Sequence, residues 1–243
     1  MSATAPRTPS WARPVPETGR AGRSLLGAFG AAAAFDLGSL LADWHLGHVL
    51  AKPLLMPLLV AYVLTLPRSP SGTGGAPGAP RLLVAALLFG WGGDLALLFD
   101  ADAAFLVGMG SFAAEHVCYL VLFGRAARSR PSPALGVAYA LVLVGTVALL
   151  WGDLPADLRV PVAGYSLLLT AMAFRAGALG RTAAIGGALF LLSDTLIATG
   201  VAGWPQAPRP DFWIMATYLA AQYLLAAGAS APTRAYGGEV IQD

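Results

Sequence analysis

Charge is scarce in this sequence. Only 12% of its 243 residues are Asp, Glu, Lys or Arg, about half the share in an average soluble domain. So few charges cannot cover a water-exposed surface, so the missing polar area implies contact with lipid. There is no block of like charges, which excludes an acidic or basic nucleic-acid-binding tail. Cysteine is nearly absent: Cys118 stands alone in an apolar run, so no internal disulfide can form and the redox compartment is not legible. Three histidines and one cysteine are a thin supply for a zinc site. His45 and His48, three apart, do not by themselves make one, and neither metal nor cofactor is expected. No Gly-x-Ser-x-Gly elbow is present, so serine-nucleophile hydrolysis of that kind has no support.

What is abundant is apolar sequence, at 57%. A helix crossing a bilayer needs about 20 apolar residues. Runs between polar breaks give eight spans: Ser24 to Ala42, His48 to Leu66, Arg81 to Phe99, Ala104 to Phe123, Pro133 to Trp151, Arg159 to Ala176, Thr182 to Gly200 and Phe212 to Ala227. Residues 1–23, with Pro6, Pro9, Pro14 and Pro16 among arginines, read as a disordered basic tail rather than a signal peptide. Residues 24–229 form the membrane domain, 230–243 a short tail, and 67–80 a Pro/Ser/Gly-rich loop.

Basic residues orient the spans. With the N-terminus in the cytoplasm, alternation places Arg7, Arg13, Arg20, Arg23, Arg68, Arg81, Arg125, Arg128, Arg130, Arg175, Arg181 and Arg234 inside, and only Lys52, Arg159 and Arg209 outside. A wrong span count would scramble that segregation. The expectation is an all-α polytopic bundle of eight transmembrane helices with both termini cytoplasmic. With no targeting segment evident, a bacterial inner membrane is the expected location.

Ionisable residues inside spans cost about 2.5 to 3.5 kcal/mol each at mid-bilayer, so they face protein or water and mark a site by default. Asp36, Lys52, Asp94 and Asp194 fall in the outer half of their spans, and His116 lies close to the middle of its own. Asp94 lies six residues before Asp100, roughly 9 Å at 1.5 Å per residue. A shared depth predicts one polar cavity, for which scattered helix-pairing residues would have no reason. Plainer roles compete. Asp36 also reads as a helix–helix staple, and Lys52 as a side chain snorkelling to the interface. Glu115 adjoins His116 but points about 100° away, towards a separate polar contact. Tyr218 and Gln222, four apart, share a helix face. Trp44, Trp91, Trp151, Trp204 and Trp213 read as interfacial anchors.

Five ordered segments resemble one family. They are Lys52-Pro53-Leu54-Leu55-Met56-Pro57; Gly93-Asp94-Leu95-Ala96-Leu97-Leu98; Phe105, Gly108, Phe112, His116 and Tyr119; Ala184 to Ala198 with Phe190, Ser193 and Asp194; and Met215, Tyr218 and Gln222. Together they resemble the YhhN/TMEM86 family of membrane proteins, whose characterised members are lysoplasmalogenases. Asp36 lies outside the resemblance.

The resemblance implies an eight-helix bundle that hydrolyses the vinyl-ether bond of lysoplasmalogens to a fatty aldehyde and a glycerophospho-alcohol such as glycerophosphoethanolamine or glycerophosphocholine. That chemistry needs a general acid, a carboxylate near the developing cation, and a held water. Asp94 and Asp194 are the expected pair, with the acid unassigned between them. Lys52 is the candidate for the substrate phosphate. His116 and Tyr119, with Ser193, Tyr218, Gln222 and Asp36, are expected to bind or orient. The expected partner is a lysophospholipid entering laterally from the bilayer, with no nucleic acid; oligomeric state is not legible. A proton-coupled transporter and a non-catalytic lipid-binding protein are the alternative readings.

Overall fold

The computed structural model describes residues 19–66, 79–130 and 132–231. Most of the expected N-terminal tail, the 67–80 loop and the C-terminal tail lie outside them. The regular structure among the described residues is all helical, with no strand: α1 (Arg20–Leu41), α2 (His45–Thr65), α3 (Ala79–Ala96), α4 (Asp102–Ala126), α5 (Pro133–Leu150), α6 (Arg159–Ala176) with a 3-10 turn Gly177–Leu179, α7 (Arg181–Val201) and α8 (Pro210–Ser230). Seven are long and apolar enough to cross a membrane. The eighth, α3, reaches 18 residues but carries Pro80, Arg81 and Asp94 within it. This is a multi-pass integral membrane protein. Each expected span corresponds to one helix; α1 and α2 start three or four residues earlier than expected, and α3, α4, α7 and α8 one or two.

The core is apolar in the centre, with Leu55, Met56, Leu59, Leu87, Leu122, Phe123, Phe190 and Leu225 fully enclosed. Large apolar side chains also cover the outside. On α5, Leu141, Val144 and Leu149 are each more than 60% exposed, and the helix buries only Leu150. A helix apolar all round and packed on one side faces lipid.

Close approach without bulky side chains joins α7 and α8. A Cβ on Gly186 would stand 2.9 Å from the backbone nitrogen of Leu225, and one on Gly228 would stand 2.8 Å from that of Ala183. Small residues at the seam are how helices associate where lipid is as apolar as the side chains. At the end of the bundle where α4, α6 and α8 finish, Arg128 donates to the carbonyls of Leu179 (2.8 Å) and Gly228 (3.3 Å). A cation there satisfies helix C-terminal carbonyls and complements their dipoles.

One registration device follows from proline chemistry. Pro53 and Pro57 both sit inside α2. Pro57 has no N–H, so the carbonyl of Pro53, four residues earlier, loses its usual helical donor. Trp91 Nε1 on α3 takes that carbonyl at 2.9 Å. Trp91 therefore corrects its sequence reading: it packs against the core and pins α3 to α2 rather than anchoring in the interface. The pin lies one residue from Lys52 and three from Asp94.

Candidate active site

The ionisable residues expected in one polar cavity lie instead in two polar networks, with an Asp36–His48 pair beside the first. The first crosses α2, α3, α4 and α8, and the pair beside it joins α1 to α2. Asp36, fully buried, bonds His48 Nδ1 at 2.8 Å. His48 belongs to the first turn of α2. Lys52, one turn further, places Nζ 4.0 Å from Asp94 Oδ1. Tyr218 Oη donates to Asp94 Oδ2 at 2.8 Å. Gln222 Nε2 donates both to Tyr218 Oη (3.0 Å) and to Glu115 Oε1 (2.6 Å), while Tyr119 Oη donates to Gln222 Oε1 at 2.9 Å. Asp94, Glu115, Tyr119, Tyr218 and Gln222 are all buried.

The second network crosses α4, α6 and α7. His116 Nε2 lies 3.0 Å from Tyr165 Oη. Tyr165 Oη donates in turn to Asp194 Oδ2, and His116 Nε2 stands 4.0 Å from the same oxygen. Ser193 belongs to neither network; its hydroxyl donates to the Ile214 carbonyl at 3.0 Å and ties α7 to α8. Among the described residues no hydrogen bond or ion pair joins the two networks. An aromatic wall does. The Phe190 ring packs edge-on to His116 at 4.8 Å and to Tyr218 at 5.5 Å between centroids, and Phe112 adds an edge-on contact to Tyr218 at 5.9 Å.

Beside the second network lies an apolar cleft enclosing about 760 Å³, open space at its mouth included. Asp194 and Tyr165 are the ionisable groups in its wall, among side chains such as Phe105, Met109, Leu143 and Leu169. Asp94 does not line it. A separate, more polar cleft opens where α1 ends and α2 and α8 begin, lined by His45, His48, Asp43 and Arg209 among others. Asp43 and Arg209 form an ion pair across it.

Three residues escaped the sequence reading. Tyr165 had no charge or motif to mark it. Glu115 was set aside towards a separate contact because it points away from His116. It does point away, but into Gln222 and the Asp94 network. Its neighbour Gly90 has no room for a side chain: a Cβ there would come within 2.8 Å of Glu115 Oε2 and 2.9 Å of Gln222 Nε2. His48 was weighed only as a metal ligand, and its partner is Asp36.

The geometry has relatives. Residues 47–229, from the first turn of α2 to the last turn of α8, match the YhhN family. The chain is 36% identical over 183 residues to human lysoplasmalogenase TMEM86B, covering 75% of this chain and 74% of that protein. It is 37% identical over 153 residues to the pig TMEM86B (63% of this chain, 65% of that one). It is 34% identical over 160 residues to a lysoplasmalogenase of Mycobacterium bovis (61% and 60%). The aligned part is thus under two thirds of the pig and mycobacterial proteins. No solved structure matches. The family match takes in both networks and leaves out Asp36, and this chain belongs to the YhhN family.

Proposed function

We propose that this chain is a membrane hydrolase that cleaves the vinyl-ether bond of lysoplasmalogens, releasing a fatty aldehyde and glycerophosphoethanolamine or glycerophosphocholine. The observation that carries this reading is the pair of carboxylates on either side of one aromatic wall: Asp94 is enclosed with a cation nearby, and Asp194 borders an apolar cleft. Family membership and relatives named lysoplasmalogenase support the substrate class.

The chemistry is acid catalysis. A proton adds to the alkene carbon, the resulting oxocarbenium ion is stabilised by a neighbouring negative charge, and water completes the hydrolysis. The apolar cleft takes the alkenyl chain from the lipid. Lys52 serves the phosphate, reached from the polar cleft through the helix turn that carries His48. His116, Tyr119, Tyr218 and Gln222 orient the reacting groups, Ser193 holds α7 in register with α8, and Asp36 fixes His48. The working form has eight spans, residues 24–229 as the membrane domain between a 1–23 tail and a 230–243 tail, and both termini in the cytoplasm of a bacterial cell membrane. The arginine segregation supports that orientation.

The test is direct. Purified protein in lipid is given a lysoplasmalogen and free aldehyde is measured. Wild type releases aldehyde, while Asp94→Asn and Asp194→Asn each lower the rate by about 10²-fold or more and still insert. Full activity in either variant, or none in wild type, rejects the reading.

A further inference from the structure

We propose that Asp194 is the proton donor of this site, that Asp94 is a standing anion which gives up no proton, and that Tyr165, oriented by His116, is the positioning residue that aims Asp194 at the alkene. This deepens the vinyl-ether reading and rests on it.

Hydrogen-bond polarity separates the two carboxylates. Glu115 presents an oxygen to Gln222, so the Gln222 amide turns its NH₂ that way and its carbonyl towards the Tyr119 hydroxyl. Both amide hydrogens are then in use, on Glu115 and on Tyr218. Tyr218 accepts from Gln222, so its single proton goes to Asp94 Oδ2. Asp94 Oδ1 faces the Lys52 ammonium at 4.0 Å. Each oxygen of Asp94 therefore meets a donor or a cation, the side chain is closed off at 2% exposure, and it lies outside the apolar cleft. A carboxylate in that setting acts as fixed negative charge.

Asp194 also has a tyrosine hydroxyl on Oδ2; it differs in what meets its other oxygen and in what it borders. Only Oδ2 is held, by the Tyr165 hydroxyl. Among the described residues no hydrogen bond reaches Oδ1, the basic group beside it is an imidazole, His116, at 4.0 Å from Oδ2 rather than a Lys or Arg, and Asp194 borders the cleft. Tyr165 can occupy this place because His116 Nε2 sits behind its hydroxyl at 3.0 Å. Holding one oxygen from behind turns the other towards the alkenyl chain.

The step balances. Asp194 Oδ1–H adds its proton to the alkene carbon remote from the ether oxygen, leaving a carboxylate and an oxocarbenium ion. Water adds to the carbon bound to oxygen and returns one proton to Asp194. The hemiacetal hydroxyl proton passes to the ether oxygen as that C–O bond breaks, giving aldehyde and a free glycerol hydroxyl. One water is consumed and nothing is oxidised or reduced.

Chemical rescue tests the assignment, with aldehyde release from a lysoplasmalogen in proteoliposomes as the readout. Asp194→Ala opens space beside the cleft, and formate or acetate buffer restores its rate by about tenfold or more, the small acid standing in for the side chain. Asp194→Asn, which fills that space, and Asp94→Ala are not rescued. Tyr165→Phe lowers kcat by about tenfold or more with KM within about twofold. In an Asp194→Ala background the same change leaves the rescued rate unaltered, because Tyr165 acts through Asp194. Rescue of Asp94→Ala, or of neither alanine variant while wild type is active, overturns the donor assignment. A rescued rate that drops as much on losing the Tyr165 hydroxyl as wild type does overturns the positioning role. A silent wild type rejects the vinyl-ether reading itself.

Discussion

The two networks use the same residue types to opposite ends. Around Gln222, three helices contribute side chains whose donors and acceptors are matched in one direction, from Tyr119 through Gln222 to Glu115 and Tyr218, and on to Asp94. All of these groups are buried. Around Asp194 the chain is short, His116 to Tyr165 to Asp194, and it ends at the wall of a cleft. The first network resembles a core that happens to be polar. The second leaves a carboxylate oxygen open towards the site where a lipid chain fits. Buried polar networks are rigid where matched and costly when broken, so the first, matched except at Glu115 Oε2, should govern stability and the second turnover.

Gln222→Leu gives the largest separation. It strips Glu115 of its hydrogen bond, Tyr119 of its acceptor and Tyr218 of a donor, leaving buried polar groups unmatched at about 1 to 3 kcal/mol each. The thermal unfolding midpoint in detergent should fall sharply, by an amount equivalent to about 3 kcal/mol or more. Tyr165→Phe, on the other network, should shift that midpoint by less than about 1 kcal/mol while reducing aldehyde release. Equal shifts would erase the contrast between a structural and a catalytic network.

Gly90→Ala sharpens the same contrast without removing any polar group. The added methyl meets both Glu115 oxygens and Gln222 Nε2 inside 3 Å. Gln222 is held by three partners and Glu115 by one, both fully buried, so they have little room to yield, and overpacking of this kind costs about 1 to 3 kcal/mol. Unfolding midpoint and rate should fall together. A variant of unchanged stability would mean that the Glu115–Gln222 contact is looser than its 2.6 Å separation implies.

Sequence reached the helices and most of the site because membrane chains obey few rules strictly. Apolar length marks spans, and charge inside a span must be buried against protein, so Asp36, Lys52, Asp94, His116 and Asp194 stood out against a lipid-compatible background. The division into two networks was not legible. Shared depth says how far along the helix axes residues lie but not how the helices are arranged around the bundle. His116 and Tyr119, three apart on α4, were expected to act together, yet one reaches α6 and the other α8. Tyr165 carries no charge and breaks no apolar pattern. Glu115 was misjudged because rotation relative to His116 on α4 was read without knowing that α8 lies where it points.

Trp91→Phe tests the smallest effect, at the seam that sets Lys52 against Asp94. The indole N–H donates to the Pro53 carbonyl, which Pro57 leaves without its helical donor. Phenylalanine keeps most of the packing and removes only that donor. Hydrogen bonds between membrane helices are worth about 0.6 kcal/mol on average, and an orphaned buried carbonyl can raise the cost to about 1 kcal/mol or slightly more. The unfolding midpoint should therefore move only slightly. Activity should fall more than that shift alone explains, because α3 carries Asp94 three residues beyond the pin and its register fixes where the standing charge sits. Unchanged activity alongside the small loss of stability would show that the Asp94 network holds α3 by itself and that the proline-freed carbonyl is satisfied for folding alone.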